Sequence, residues 1–157
     1  MSTLRPPNAD VFAAVIQAEV LLWNRLEKDL RATENATSLA RYLVLRQIHH
    51  GQDSGGFRVQ DIARAQHCTI SAASRHLDRL EKDGLITRTA CTDDRRALRL
   101  HLTEDGLQRM RAAQATFEAT LSSLLNRFDD QSLHHLVTLL TSLAHTIDPE
   151  HTKESTS

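Results

Sequence analysis

The sequence predicts a mainly α-helical fold with a small β-wing, a winged helix-turn-helix domain flanked by long N- and C-terminal helices. Three observations predict it. Two helical runs lie between Asp61 and Asp83, separated only by Gln66-His67-Cys68, the short connection that a helix-turn-helix needs. Gly84 then stops the second run, and two short segments, Leu85–Arg88 and Leu98–Leu102, enclose a polar tip, the pattern of a β-hairpin. On either side, before residue 31 and after residue 104, apolar residues recur at helical spacing.

In chain order, Met1 to Pro7 reads as a loose arm, with Pro6-Pro7 disfavouring helix. Asn8 or Asp10 can cap a first helix reaching Arg31, with Val11, Val15, Ala18, Leu22, Leu26 and Leu30 nearly all four apart and Phe12, Ile16 and Trp23 beside them. Thr37 or Ser38 caps a second helix, Leu39 to about His50, which Gly51 ends. Phe57-Arg58-Val59 is a short strand that can pair with the wing, so the winged helix-turn-helix spans 57–103. Thr69 is a good N-cap for the helix that follows the turn. From there Ile70, Ala73, Leu77 and Leu80 make one buried stripe, and Gly84 fits the left-handed residue that ends helices.

In the hairpin Leu98, Leu100 and Leu102 point one way, Arg99 and His101 the other. Thr103 caps a long helix to about Phe128, with Glu104 and Asp105 in its dipole-favoured first turn. Its stripe is Leu107, Met110, Ala113, Phe117, Leu121 and Leu124 or Leu125. Asp129 or Asp130 opens a last helix carrying Leu133, Leu136, Val137, Leu139, Leu140, Leu143 and Ile147, which Pro149 stops, leaving 149–157 as a second loose tail.

At 157 residues the chain reads as one domain, able to bury a core. Net charge is −1, so no global signal points to nucleic acid. Between Arg58 and Leu102, however, nine basic residues face six acidic ones, a local +3 that leaves −4 elsewhere. A basic face on an acidic body is the footprint of a DNA reader that must not bind everywhere. Two cysteines make no disulfide framework, and no signal peptide or membrane-length apolar run is seen. The chain therefore reads as cytoplasmic, with no membrane partner.

The outward face of the helix after Thr69 carries Ser71, Ala72, Ser74, Arg75, Asp78, Arg79 and Lys82. Small polar residues and an arginine at the start of such a helix allow close approach to base edges in a major groove. At the hairpin tip Arg95 and Arg96 follow Asp93-Asp94. An arginine there can enter a narrow minor groove, and a neighbouring aspartate can hold its guanidinium in a bidentate pair.

The run Ser71-Ala72-Ala73-Ser74-Arg75-His76-Leu77-Asp78-Arg79-Leu80-Glu81-Lys82-Asp83-Gly84-Leu85-Ile86, then Asp94-Arg95-Arg96, then Leu102-Thr103-Glu104-Asp105-Gly106, resembles the MarR family of bacterial transcriptional regulators in order and spacing. Each piece alone is common; together, with the flanking helices, they cover most of the chain. The resemblance implies a cytoplasmic homodimer built by helices 8–31 and 104–147, a double-stranded DNA operator as partner, nucleoid association when bound, and most often repression. It implies base-edge or phosphate contacts from Ser71, Ala72, Ser74 and Arg75, and minor-groove contacts from Arg95 and Arg96, with Asp94 orienting Arg96. Arg79 and Lys82 would touch phosphates or stand solvated. The excess apolar surface of the terminal helices points independently to a twofold dimer, whose operator would be a pseudo-palindrome with half-sites roughly 10 bp apart.

The resemblance also places a small-molecule effector site between the dimer helices and the winged domain. Trp23, Arg41, Tyr42 and Arg46 are the candidates to line it, core or interface packing being the alternative for the two aromatics. No cofactor is expected beyond such an effector. Nine histidines raise a metal site, but the adjacent pairs His49-His50 and His134-His135 point about 100° apart on a helix, and none has a third ligand at metal spacing. No metal site is therefore expected.

Cys68 in the turn reads as a small buried hydrophobe, with thiol-based redox sensing through Cys68 and Cys91 as the alternative. Neither cysteine lies in the first helix, where the family's peroxide-sensing branch keeps its thiol. An enzyme is disfavoured by the absence of a phosphate loop or nucleophile elbow. Ser74, His76 and Asp78 lie two apart on one helix and cannot form a triad. A helical interaction protein without DNA binding is the remaining contrast, and it would have little use for Arg75, Arg95 and Arg96 at those places.

Overall fold

A computed structural model describes residues 6–52, 56–90 and 98–149. The elements are α1 (Asn8–Arg31), α2 (Leu39–Gly51), α3 (Val59–Ala65), α4 (Ile70–Lys82), β1 (Ile86–Ala90), β2 (Leu98–Leu102), α5 (Glu104–Leu125) and α6 (Asp130–Ile147). The chain forms two compact units, one ending at Glu118 and one beginning at Ala119.

The first unit holds the core. From α2 come Tyr42, Val44, Leu45 and Ile48, from α3 Ile62, from α4 Leu77 and Leu80, from the hairpin Ile86 and Leu100, and from α5 Met110, all buried. Tyr42 packs against Phe117 with ring centroids 5.0 Å apart and ring planes tilted by 43°. Strands β1 and β2 pair antiparallel, Ile86 opposite Leu102 and Ala90 opposite Leu98. Phe57 bridges Leu100 on the other side of β2, its carbonyl accepting from Leu100 N at 2.9 Å.

Local chemistry sets most boundaries. The Ser38 hydroxyl accepts from Arg41 N at 3.2 Å and the Asp61 carboxylate from Arg58 N at 2.8 Å, so α2 and α3 start on satisfied donors. Gly84, at φ +72°, ends α4 and turns the chain into β1. The N-terminus of α5 is bolted to that turn: Thr103 Oγ1 donates to the Gly84 carbonyl at 2.6 Å and accepts from Gly106 N at 3.0 Å. The approach is close enough that a Cβ on Gly106 would overlap the Leu85 carbonyl oxygen.

Several expectations need correction. Pro7, not Asn8 or Asp10, occupies the N-cap of α1, its carbonyl accepting from Asp10 N and Val11 N. Arg58 caps α3 and Val59 begins it, so the expected strand 57–59 is one bridge residue, because Asp61 draws the Arg58 amide into a cap. Ile70 leaves the buried stripe and is 60% exposed at the first position of α4. Cys68 is exposed rather than buried, in a turn where the preceding His67 takes a left-handed φ of 48°. Leu98, at the tip end of β2, is exposed while Leu100 is buried.

The N-terminal two-thirds of α1 is apolar and uncovered: Val11, Phe12, Ile16, Val20, Leu21, Leu22 and Trp23 are all exposed, and only Leu26 and Leu30 are buried. In the second unit, α6 starts on Asp129, whose carboxylate accepts from Ser132 N at 2.7 Å. It buries none of its residues, although Leu136, Val137, Leu139, Leu140, Leu143 and Ile147 are all large and apolar. Among the described residues no helix is long and apolar enough to cross a membrane.

Candidate nucleic-acid interface

The interface is built on α4. Thr69 Oγ1 accepts from Ala72 N at 3.1 Å and fixes the first turn. Ala73, Leu77 and Leu80 are buried beneath. With that face anchored, Ser71, Arg75, Asp78 and Lys82, spaced four, three and four, stand in one exposed line, with Arg79 exposed beside them. Ala72 and Ser74 are half-buried on its flanks. Ile70 joins the exposed first turn, an apolar contact that periodicity alone assigned to the core; its place at the first helical position, ahead of the well-covered turns, was the available signal.

Arg88 of β1 ties the wing to this helix. Its Nη2 donates to Asp78 Oδ1 at 2.7 Å, and its Nη1 lies 3.3 Å from Glu81 Oε2. Both acids on that side of α4 thereby share one guanidinium, while Arg75, Arg79 and Lys82 stand exposed on the same helix. The residues expected to act at the hairpin tip, Asp94, Arg95 and Arg96, lie outside the described residues, as does Cys91.

Beside α4 opens a cleft of about 830 Å³, walled by Ser38 and Arg41 from the start of α2 and by Arg75, His76, Arg79 and Lys82 from α4. Its one carboxylate, Asp83, pairs with Arg41. Partial burial, then the nearby Arg109 guanidinium, lower the Arg41 pKa. His76 is pulled below the ordinary histidine value by burial first, then by Arg41 and Arg79. Beneath it lies a smaller cavity of about 250 Å³ bounded by Val44, Ile62, Cys68 and Ala73.

Of the four residues expected around an effector, Arg41 alone lines one of the cavities described above. Arg41 faces the cleft. Tyr42, the next residue and so about 100° round the helix, is 1% exposed in the core, and burial, the largest cause, raises its hydroxyl pKa. Arg46 is solvent-exposed, and Trp23 stands 43% exposed on α1. Among the described residues no three histidines, cysteines or carboxylates are grouped to hold a metal ion.

Residues 37–98 match the model of the MarR family. Among solved structures, the chain is similar to AbsC, a MarR family transcriptional regulator from Streptomyces coelicolor, at 26% identity and a TM-score of 0.79, over 94% of this chain and 98% of that one. It is similar in fold to Sco3205, a MarR family transcriptional regulator from the same organism solved in complex with DNA, at 21% identity and a TM-score of 0.77, over 95% and 94%. CouR from Rhodococcus jostii RHA1, solved bound to p-coumaroyl-CoA, shares the fold at 21% identity and a TM-score of 0.76, over 86% and 92%.

Proposed function

Residues 37–98 carry a domain of the MarR family of transcription regulators, and from that premise we propose that this chain regulates transcription as a homodimer on a pseudo-palindromic operator. The observation that carries the reading is the outward face of α4: Ser71, Ala72, Ser74 and Arg75 on a helix whose opposite face is locked into the core. That face inserts into the major groove. Arg75 and the serines reach base edges and phosphates, and Ile70 is available for a thymine methyl. Arg79 adds a phosphate contact, and Arg95 and Arg96, steadied by Asp94, work at the minor groove. That Sco3205 was solved with DNA supports this assignment.

The uncovered apolar residues of α1 and α6 support the homodimer, with helices 8–31 and 104–147 forming its interface; an isologous twofold contact buries such a surface without leaving an open edge. Two recognition helices then meet successive major grooves, about 10 bp apart. Repression by occlusion, relieved by a small-molecule effector that changes the spacing of the two helices, completes the mechanism. The CouR complex supports a ligand-responsive reading.

The test is selection of bound fragments from random-sequence duplex DNA by the purified protein, followed by gel shift. A recovered inverted repeat is expected, with binding lost in Arg75→Glu at unchanged oligomeric state. Recovery of no shared sequence, or undiminished binding by Arg75→Glu, would contradict the assignment. Affinity should also fall steeply with salt, each phosphate contact adding to the slope.

A second reading, thiol-based control through Cys68 with Cys91, is favoured by the exposure of Cys68 in the turn just before α4. Peroxide should then weaken the gel shift of the parent protein, and Cys68→Ser should be insensitive to it; equal sensitivity in both would remove this reading.

A further inference from the structure

We propose that the cleft between the start of α2 and the outer face of α4 is a second phosphate-contact surface for duplex DNA, and that a backbone phosphate seated there draws Arg41 off Asp83 and places a proton on His76. The inference deepens the DNA-binding reading above and rests on it. Its first ground is charge. Arg41, Arg75, Arg79 and Lys82 crowd one open cleft whose only carboxylate among the described residues is Asp83, an arrangement of like charges that an anion relieves. The second ground is continuity: Ala72 and Arg75 belong both to the cleft wall and to the face that would read the groove. A duplex held by that face carries its sugar–phosphate strand past the cleft mouth, which favours a backbone phosphate as the occupant.

Asp83 marks the unbound state. Its carboxylate occupies the Arg41 guanidinium, and a phosphate offers the same guanidinium two oxygens in bidentate geometry. His76 marks the exchange. From α4 and its C-cap the groups lining its surroundings are Arg75, Arg79, Lys82 and the Asp83 carboxylate; from α2, Arg41 and the apolar Val44; from α3, Ile62; from the turn, Gln66 and the Cys68 thiol. Burial and the cations keep its imidazole neutral at ordinary pH. An incoming phosphate cancels the repulsion from Arg41 and Arg79 and supplies an acceptor for the second N–H, so the bound state favours imidazolium.

The sign follows by linkage. His76 has a low proton affinity in the free protein and a higher one in the complex. Binding therefore takes up a proton, and affinity weakens as pH rises through the interval between the two values, by up to about tenfold per pH unit. Four basic side chains and the histidine were visible in the sequence, but only folding sets Arg41, 34 positions before Arg75, across one cleft from it.

The experiment measures affinity for a duplex selected by the protein itself, from about pH 5.5 to about pH 8, for the parent protein, His76→Gln and Asp83→Asn. Nine histidines can contribute to a pH slope, so the difference between parent and His76→Gln is the readout. The parent should weaken with rising pH and His76→Gln should lose most of that dependence. Asp83→Asn should bind several-fold more tightly throughout, because Arg41 no longer has to leave a partner. In parallel, the His76 ring proton resonances of the parent should titrate at higher pH with DNA than without, a reading independent of any variant's folding. Equal slopes in parent and His76→Gln, or a His76 titration unmoved by DNA, overturn the inference while leaving DNA binding intact. Failure of the parent to select any duplex overturns the DNA-binding reading, and this inference with it.

Discussion

Helices α4 and α6 use apolar residues in opposite ways. The first is rich in charge, yet it buries Ala73, Leu77 and Leu80 and turns Arg75, Arg79 and Lys82 outward. The second is the more apolar, yet it buries nothing and leaves Leu136, Val137, Leu139, Leu140, Leu143 and Ile147 uncovered. Amphipathic patterning thus says which face of a helix wants a partner; it does not say whether that partner belongs to the same chain. For α4 the partner is the core of the first unit. For α6, as for the start of α1, the proposed partner is a second copy.

The sharpest way to break this contrast is to truncate one core leucine of α4. Leu77→Ala should cost about 2–5 kcal/mol in urea unfolding, as expected for a buried leucine that leaves a cavity. An unfolding midpoint within error of the parent's would mean that α4 is not anchored as described.

Charging the other helix should leave each chain folded but part the assembly. Leu139→Glu combined with Leu143→Glu is expected to shift the protein from dimer to monomer on a sizing column coupled to light scattering, with helical content retained by circular dichroism. A parent that is already monomeric would refute the partner assigned to α6.

Smaller effects probe how α4 is terminated. Gly84→Ala, at φ +72°, should lose about 1–2 kcal/mol from the left-handed backbone cost alone, since a Cβ there meets no other atom within 4 Å. No loss would show that the turn relaxes freely and that the Thr103–Gly84 contact does not hold it. Thr69→Ala should cost about 1 kcal/mol by leaving the Ala72 amide without its cap.

The smallest effect concerns pH and α6. The Asp129 carboxyl is held below its ordinary value by hydrogen bonds from Ser132. A carboxylate whose folded value is depressed helps fully above its unfolded value and loses that help as pH falls through the folded one. Asp129→Asn should therefore flatten the acid limb of an α6 helicity curve near the carboxylate range and leave neutral pH almost unchanged; an identical acid limb in both proteins would remove the cap from the account.

Much of the fold was legible because it is local. The caps at Ser38, Thr69 and Asp129, the left-handed Gly84 and the bolt Thr103–Gly106 are each specified within a few residues by hydrogen-bonding groups and φ preferences. So was the outward face of α4, because a 3.6-residue repeat with Ala73, Leu77 and Leu80 on one side leaves Ser71 and Arg75 on the other. Less was legible where exposure depends on distant neighbours. Ile70 and Leu98 have the right period for burial and the wrong position in their elements, one at a helix start and one at a strand end. Arg41 and Tyr42 look like a pair in sequence, but one joins a cationic cleft and the other the core.

By itself, then, the order of residues determined the run of helices and hairpin, the caps that open α2, α4 and α6, and the side of α4 that faces solvent, because these depend on backbone conformation and near neighbours. The tertiary structure alone decided that Arg88 pairs with both Asp78 and Glu81, that Arg41 meets Asp83 in the cleft that His76 lines, and that α6 buries none of its described residues. Those outcomes depend on Coulomb and packing contacts between residues far apart in sequence, which exist only once the elements have been placed side by side.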